Sequence, residues 1–435
     1  MLKIIDSILW AIATVLIVYS GLFFTFKLNF VQFKFKEMFK NLLVKKENKS
    51  GISPFESLMM VLGGRIGVGS IAGIALSIYL GGIGSIFWIW IAGLISIPNA
   101  FAETVLGTKY KEKDGLYIYK GGPSYYLKKG LNKLFLSKLY AIVMVVSQIG
   151  GFLSIQANTI TKSIVPYTNI SPIIIGLVIM ILSFIIFYGG IKQISNISSK
   201  LVPFMTIIYV FTAIFIVIFN IDKIPLIIFN IFKEAFNFKS MGFGILSTMI
   251  IGVQRGIFSS EAGLGTGAIA SSTVSVDYPA RQGFVQMIGI YITTFLVCTS
   301  TAIIILTSDV SIIGNNINGI EMTQKAFIYH LGSFGNLIVI LSIILFAFST
   351  ILSGYYDGES NLKILIKTTP KKILILKIIS CIILLIGSII SSTVLWQVVN
   401  IFTAILAIIN IYAIMKLKND VINELRRYEK CDKIK

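Results

Sequence analysis

Long apolar runs alternate along this chain with short segments that hold most of its lysines. About 20 apolar residues suffice to cross a bilayer as a helix. Runs of that order fall near 7–27, 54–80, 83–108, 136–165, 171–190, 201–221, 242–272, 282–307, 335–356, 372–392 and 394–415. They are too long for strands and too numerous for the buried helices of a soluble core. The pattern predicts an all-α integral membrane protein with about 11 transmembrane helices. The first run reads as a retained helix, because Asp6 weakens any positive leader and no small-residue cleavage site follows.

The basic residues then orient the chain. With the amino terminus outside, the inner loops hold Lys34, Lys36, Lys40, Lys45, Lys46 and Lys49, then Lys109, Lys111, Lys113, Lys120, Lys128, Lys129 and Lys133. Lys363, Lys367, Lys371 and Lys372 fall on the same side, as does a tail bearing Lys416, Lys418, Arg426, Arg427 and Lys430. Outer loops are poor in lysine and arginine, so the positive-inside rule predicts a cytoplasmic carboxyl terminus in a plasma (inner) membrane.

Composition agrees: 55% of the 435 residues are hydrophobic and only 13% charged. The formal net charge of +19 is dispersed among loops, which argues for topology and lipid contact rather than nucleic acid. Cys298, Cys381 and Cys431 form no metal or disulfide pattern, and His330 is the lone histidine. No nucleophile has a recognisable base, and no phosphate-binding G-x-x-x-x-G-K-[ST] is present, so neither an enzyme nor an ATP-driven pump is expected.

Two runs are interrupted alike, by GGRIGVGS at 63–70 and RGIFSSEAGLGTG at 255–267. Discounting the first helix, these begin the two halves of a five-plus-five repeat: 54–221 and 222–416, flanked by an extra helix with an amphipathic segment over 1–53 and a tail over 417–435. Glycine-broken spans at matching positions point to a transporter's central site. Unwinding there frees amides for a carboxylate and carbonyls for a small cation. Glycine also serves close helix packing, the preferred reading for Gly73, Gly93 and Gly176, but packing does not explain Arg65, Arg255 and Glu261. Arg65 and Glu261 form one plausible intramembrane pair, with Arg255 as an outer anchor.

The motifs GRIGVGSIAGIA, GGIGSIFWIWIAG, KGGPSYYLKKGL, SIQANTI, RGIFSSEAGLGTGAIA, RQGFVQMIG and FAFSTILSGYYDGE occur in order. Over residues 54–360 the chain thereby resembles the alanine or glycine:cation symporters, whose fold is of the leucine-transporter (LeuT) type. The resemblance implies a small neutral amino acid, alanine or glycine, imported with Na+ by alternating access. Its carboxylate would meet Val68, Gly69 and Ser70, and its ammonium and side chain the break at Ser260, Glu261, Gly263 and Leu264. Gln156 resembles the family's polar substrate contact, although a lone glutamine also serves as interhelical glue.

For Na+, the same resemblance implies carbonyls of Gly63 and Ile66 with hydroxyls of Ser349 and Thr350; those hydroxyls otherwise bond back to their own helix. A second cation site would use the Arg65 carbonyl, Ser70 and Ser259. Ser70 and Ser260 stand where the family usually has asparagine, and Asp357 where an aromatic usually precedes Gly-Glu. Those departures leave the amino acid, its enantiomer, the coupling ion and the stoichiometry open, as is the oligomeric state. The alternatives are a proton-coupled or altered-specificity carrier, a channel, or a non-transporting sensor; two asymmetric broken helices argue against the rings of like groups a channel uses. KGGPSYYLKKGL reads as an interfacial anchor and 27–40 as an interfacial helix.

Overall fold

The computed structural model describes residues 2–44, 51–115, 118–236, 244–308, 319–390 and 393–432. Lys45, Lys46, Lys49 and the start of the run expected from 242 lie outside them. The only sheet among the described residues pairs Glu112–Lys113 (β1) with Tyr119–Lys120 (β2), antiparallel.

The remaining elements are helices. α1 (Leu2–Lys27) is followed by α2 (Phe35–Leu42), which buries Met38 and exposes Phe35 and Phe39, as an interfacial segment does. Next come α3 (Pro54–Arg65), α4 (Ala72–Gly81), α5 (Ser85–Lys109) and a short α6 (Pro123–Lys129). α7 (Leu134–Val145) and α8 (Leu153–Ile164) make one rod through π-helical turns at Val146–Phe152. α9 (Pro172–Tyr188), α10 (Gly190–Phe219) and α11 (Ile224–Ala235) lead to α12 (Gly244–Ser260) and α13 (Thr266–Ser271). α14 (Pro279–Ile290) and α15 (Thr299–Thr307) form a second rod through π-helical Tyr291–Cys298. α16 (Ile320–Leu365), α17 (Pro370–Ile389), α18 (Thr393–Lys416) and α19 (Lys418–Asp432) complete the chain.

Eight of these helices or rods are long and apolar enough to cross a membrane. The other three expected crossings are the two broken runs, α3–α4 and α12–α13, and α9, an apolar helix of 17 residues. Two boundaries differ from expectation. α10 begins at Gly190 rather than near 201, because its first turns carry Lys192, Gln193 and Asn196 and dilute the apolar signal. α16 starts well before 335 and bends at Gly332, whose φ of 59° and ψ of −143° lie outside the helical region. The halves of the first break sit among neighbours: α3 against α10 and α16, α4 against α12, and α12 and α13 against α5.

Candidate functional site

The start of α3 is encoded locally. Ser53 caps it by accepting from the Glu56 amide at 3.1 Å, while Glu56 Oε2 accepts from the Ser53 amide at 2.7 Å, and Pro54 occupies the first turn. The helix ends at Arg65. Ile66 leaves helical geometry, a single 3₁₀ turn follows at Val68–Ser70, and helix resumes at Ala72. The break therefore spans 66–71, slightly beyond GGRIGVGS, with Gly63 and Gly64 still helical. Their smallness matters in another way: a β-carbon on Gly64 would lie 2.9 Å from Ser353 Oγ, and one on Gly67 would lie 2.6 Å from Thr350 Oγ1. The chain is glycine where α16 presses against the break.

The second break is tighter. α12 ends at Ser260, Glu261 takes a left-handed φ of 50°, Gly263 and Gly265 have φ of 89° and 92°, and α13 begins at Thr266. A left-handed Glu is unusual and costs conformational energy, so its surroundings must hold it. Thr266 Oγ1 donates to Glu261 Oε2 at 2.8 Å.

Between the breaks lies a small cavity, lined by Gly64 of α3, Gly67 and Gly69 of the first break, Glu261 of the second, and Gln156 and Thr350 from α8 and α16. Phe152, Phe258 and Trp396 also line it, and Phe152 stacks on Phe258 with centroids 6.0 Å apart. Gln156 Oε1 is buried without a partner. Of the residues expected to meet substrate, Gly69, Gln156 and Glu261 thus share one cavity. Val68, Ser70, Ser260, Gly263 and Leu264 are buried behind its wall: Ser260 Oγ bonds to Ile257 O in its own helix, and Leu264 O accepts from Tyr140 at 2.7 Å.

The oxygens expected around Na+ also converge. Ser349 Oγ and Thr350 Oγ1 lie 3.0 and 2.9 Å from Gly63 O. Each hydroxyl equally reaches Phe346 O of its own helix, so both sequence readings coexist in one arrangement. Among the described residues nothing donates to the Ile66 carbonyl. At the second set, Ser70 Oγ is 3.3 Å from Arg65 O and 3.2 Å from Ser259 Oγ.

Arg65 and Glu261 line the same cavity, but among the described residues no ion-pair contact joins them. Arg65, only 2% exposed, donates from Nη1 to Gln286 O at 3.1 Å and has two carboxylate neighbours, Glu103 of α5 and Glu261. Arg65 Nη2 and Glu103 Oε1 flank Gly267, each about 3 Å from where a β-carbon there would sit. Arg255, by contrast, has Asp6 of α1 as its carboxylate neighbour.

Glu103 is the residue that sequence reasoning passed over. Its Oε2 accepts from the amides of Gly263 and Gly265, both at 3.1 Å, and from Asn410 Nδ2 at 2.9 Å. It occupies the freed amides of the second break, so Gly263 has none to offer a ligand. A carboxylate inside an apolar span is itself a functional flag and was visible in FAETVLG. KGGPSYYLKKGL is also corrected. Tyr125 and Tyr126 of α6 are buried, and the Tyr126 hydroxyl donates to Asn410 Oδ1, whose amide holds Glu103 and the Gly263 carbonyl. Only Lys128 and Lys129 remain exposed; the tyrosines serve the core because their hydroxyls find an acceptor there.

Two broken helices enclose a cavity, and the fold is that of solved membrane proteins. MhsT in complex with L-phenylalanine matches with a TM-score of 0.61 at 14% identity, covering 87% of this chain and 93% of that one. A Na+-coupled sialic acid symporter matches with a TM-score of 0.56 at 13% identity, over 93% and 82%. The chain belongs to the sodium:alanine symporter family, which it matches over residues 1–435. It is 35% identical to the amino-acid carrier protein AlsT of Bacillus subtilis, over 99% of this chain and 92% of that protein. It is 32% identical to the sodium/alanine symporter AgcS of Methanococcus maripaludis, over 99% and 97%. A further B. subtilis relative, 34% identical over 99% and 90%, bears the name "Probable sodium/glutamine symporter GlnT".

Proposed function

We propose that the chain imports a small neutral amino acid, alanine or glycine, together with Na+ by alternating access, with the halves 54–221 and 222–416 moving about the two breaks. The amino terminus lies outside the plasma membrane and the carboxyl terminus in the cytoplasm. In this reading the substrate carboxylate meets the backbone at Val68, Gly69 and Ser70, and its ammonium meets Glu261. Gln156 contacts it from α8, while Ser260, Gly263 and Leu264 shape the second break from behind. Na+ binds the carbonyls of Gly63 and Ile66 and the hydroxyls of Ser349 and Thr350.

One observation carries the reading: Gly64, Gly67, Gly69 and Glu261 line the same cavity from both breaks, with a Thr350 hydroxyl at its edge. The crowding by Phe152, Phe258 and Trp396 supports a small solute. One methylene more or less is worth only roughly 1–3 kcal/mol in such a pocket, so relatives of one fold differ readily in substrate.

The test is uptake into proteoliposomes from a panel that includes alanine, glycine and glutamine, with Na+ and H+ gradients imposed separately. Saturable, Na+-driven uptake of alanine or glycine, with accelerated exchange when the lumen is preloaded, is the expected result. Uptake indifferent to Na+ overturns the coupling, and flux that never saturates overturns the carrier.

A further inference from the structure

A second, small cavity adjoins the first at Glu261. Gly64 and Glu261 wall both. The new space is completed by Met60 and Val61 of α3, Thr266 and Ala270 of α13, and Ser353 and Asp357 of α16. Its polar lining is all oxygen: two carboxylates and two hydroxyls.

Asp357 is the unusual member. It is 6% exposed, lines the cavity, and its carboxylate has no hydrogen-bond or ion-pair partner among the described residues. The Asn361 amide bonds only its backbone carbonyl, at 2.9 Å. The ionisable groups facing it are Glu261, of the same sign, and the phenols of Tyr140 and Tyr356.

Charge balance gives the carboxylate a meaning. In the buried centre Arg65 has both Glu103 and Glu261 as carboxylate neighbours. Under the proposed function, on which this step rests, a substrate ammonium answers Glu261. Asp357 faces no cation among the described residues, and an ionisable side chain at membrane depth marks an ion path. Thr266 Oγ1 and Ser353 Oγ each spend their proton on another acceptor, Glu261 Oε2 at 2.8 Å and Thr350 O at 3.2 Å, which leaves their lone pairs for a ligand. Oxygen donors with carboxylates among them suit a hard, small cation.

We propose that Asp357, Ser353, Thr266 and Glu261 bind a Na+ of their own, distinct from the one at Gly63 and Thr350. The two sites touch through one helix: Ser353 is bonded to the Thr350 carbonyl, so an ion at Asp357 steadies the turn of α16 that presents Thr350 to Gly63.

The test is equilibrium binding of radioactive Na+ to the purified full-length protein in detergent, without amino acid. Asp357→Asn is expected to bind one ion fewer than the wild type at saturation, Asp357→Glu to keep it, and Ser353→Ala to keep it with weakened affinity. Thr350→Val loses the other ion. A monodisperse Asp357→Asn that binds as many ions as the wild type overturns the inference. If Asp357→Asn does not fold, unchanged Na+ affinity in Ser353→Ala overturns it instead. The two sites fail separately: binding abolished by Thr350→Val but untouched by Asp357→Asn leaves the proposed coupling standing without the second ion. Binding lost only through Asp357→Asn leaves the second ion and removes the first.

Discussion

Glu103 Oε2 accepts the Gly265 amide at 3.1 Å, and this bond joins the middle of α5 to the point where the second broken helix restarts. With the Gly263 amide and Asn410 on the same oxygen, one carboxylate holds the whole turn in place. Glu103→Ala leaves these buried donors unpaired, at about 1–3 kcal/mol each. Its thermal unfolding in detergent is expected to fall well below that of the wild type, with uptake lost. Glu103→Gln keeps an acceptor oxygen but deprives Arg65 of its counter-charge, so it should recover most of the stability and little of the transport. An Ala variant that melts with the wild type would contradict this role.

Gly67 is where α16 comes nearest the first break. A β-carbon would stand 2.6 Å from Thr350 Oγ1, which must then move away from the carbonyls it faces. Gly67→Ala is therefore expected to raise the Na+ concentration for half-maximal uptake by at least tenfold, about 1.4 kcal/mol. Gly73→Ala is the control, since nothing lies within 4 Å of its added carbon, and its uptake should match the wild type.

Glu261→Gln preserves volume and removes charge at the wall shared by the two cavities. Gly69→Val adds bulk beside Phe258, whose ring lies 3.5 Å from the first added carbon. Both variants should reach the membrane in normal amount and show no uptake above background. Amino acid uptake at wild-type rates by either would remove that residue from the substrate site.

Asp114 makes a pH-sensitive tie between β2 and the end of α16. It accepts from Lys363 of α16 at 2.8 Å and from Lys120 of β2 at 3.3 Å. Burial alone pushes its carboxyl up, but the hydrogen bond and charge of Lys363, aided by Lys120, hold it below the ordinary value of 3.8. A depressed carboxyl stabilises the fold above its free value, and that contribution is lost as pH falls through the folded one. Asp114→Asn should thus be less stable than the wild type by about 0.5–1 kcal/mol above pH 4. The gap should close in a melting series taken into more acid solution.

The spans were legible because length and apolar continuity are local properties, and the breaks because glycine clusters and lone charges stand out against them. α3 could be placed to the residue by Ser53, Pro54 and Glu56, which cap it without tertiary help. Pairing across the fold was not legible. Arg65 was assigned Glu261, the acid of the other break, but Glu103 of α5 is a second carboxylate neighbour that the sequence separation hid. Tyr126 looked like an interface residue because its acceptor, Asn410, is 284 positions away. Lys128 and Lys129 remained exposed as charge predicts, with Lys129 paired to Glu112 at 3.1 Å.

The first helix deserves a last consequence. α1 lies against both α5 and α18. Its contact with α5 is locked: Gly21 sits so near Ile95 that a β-carbon would fall 2.1 Å from that carbonyl oxygen, and Asn99 donates to Ile17 O at 2.9 Å. Sliding between α1 and α5 would tear the backbone fit and orphan an amide. α18 is tied to α5 as well, through Asn410 Nδ2 on Glu103 Oε2 at 2.9 Å, so α1 is a flange on a block that already holds both of its neighbours.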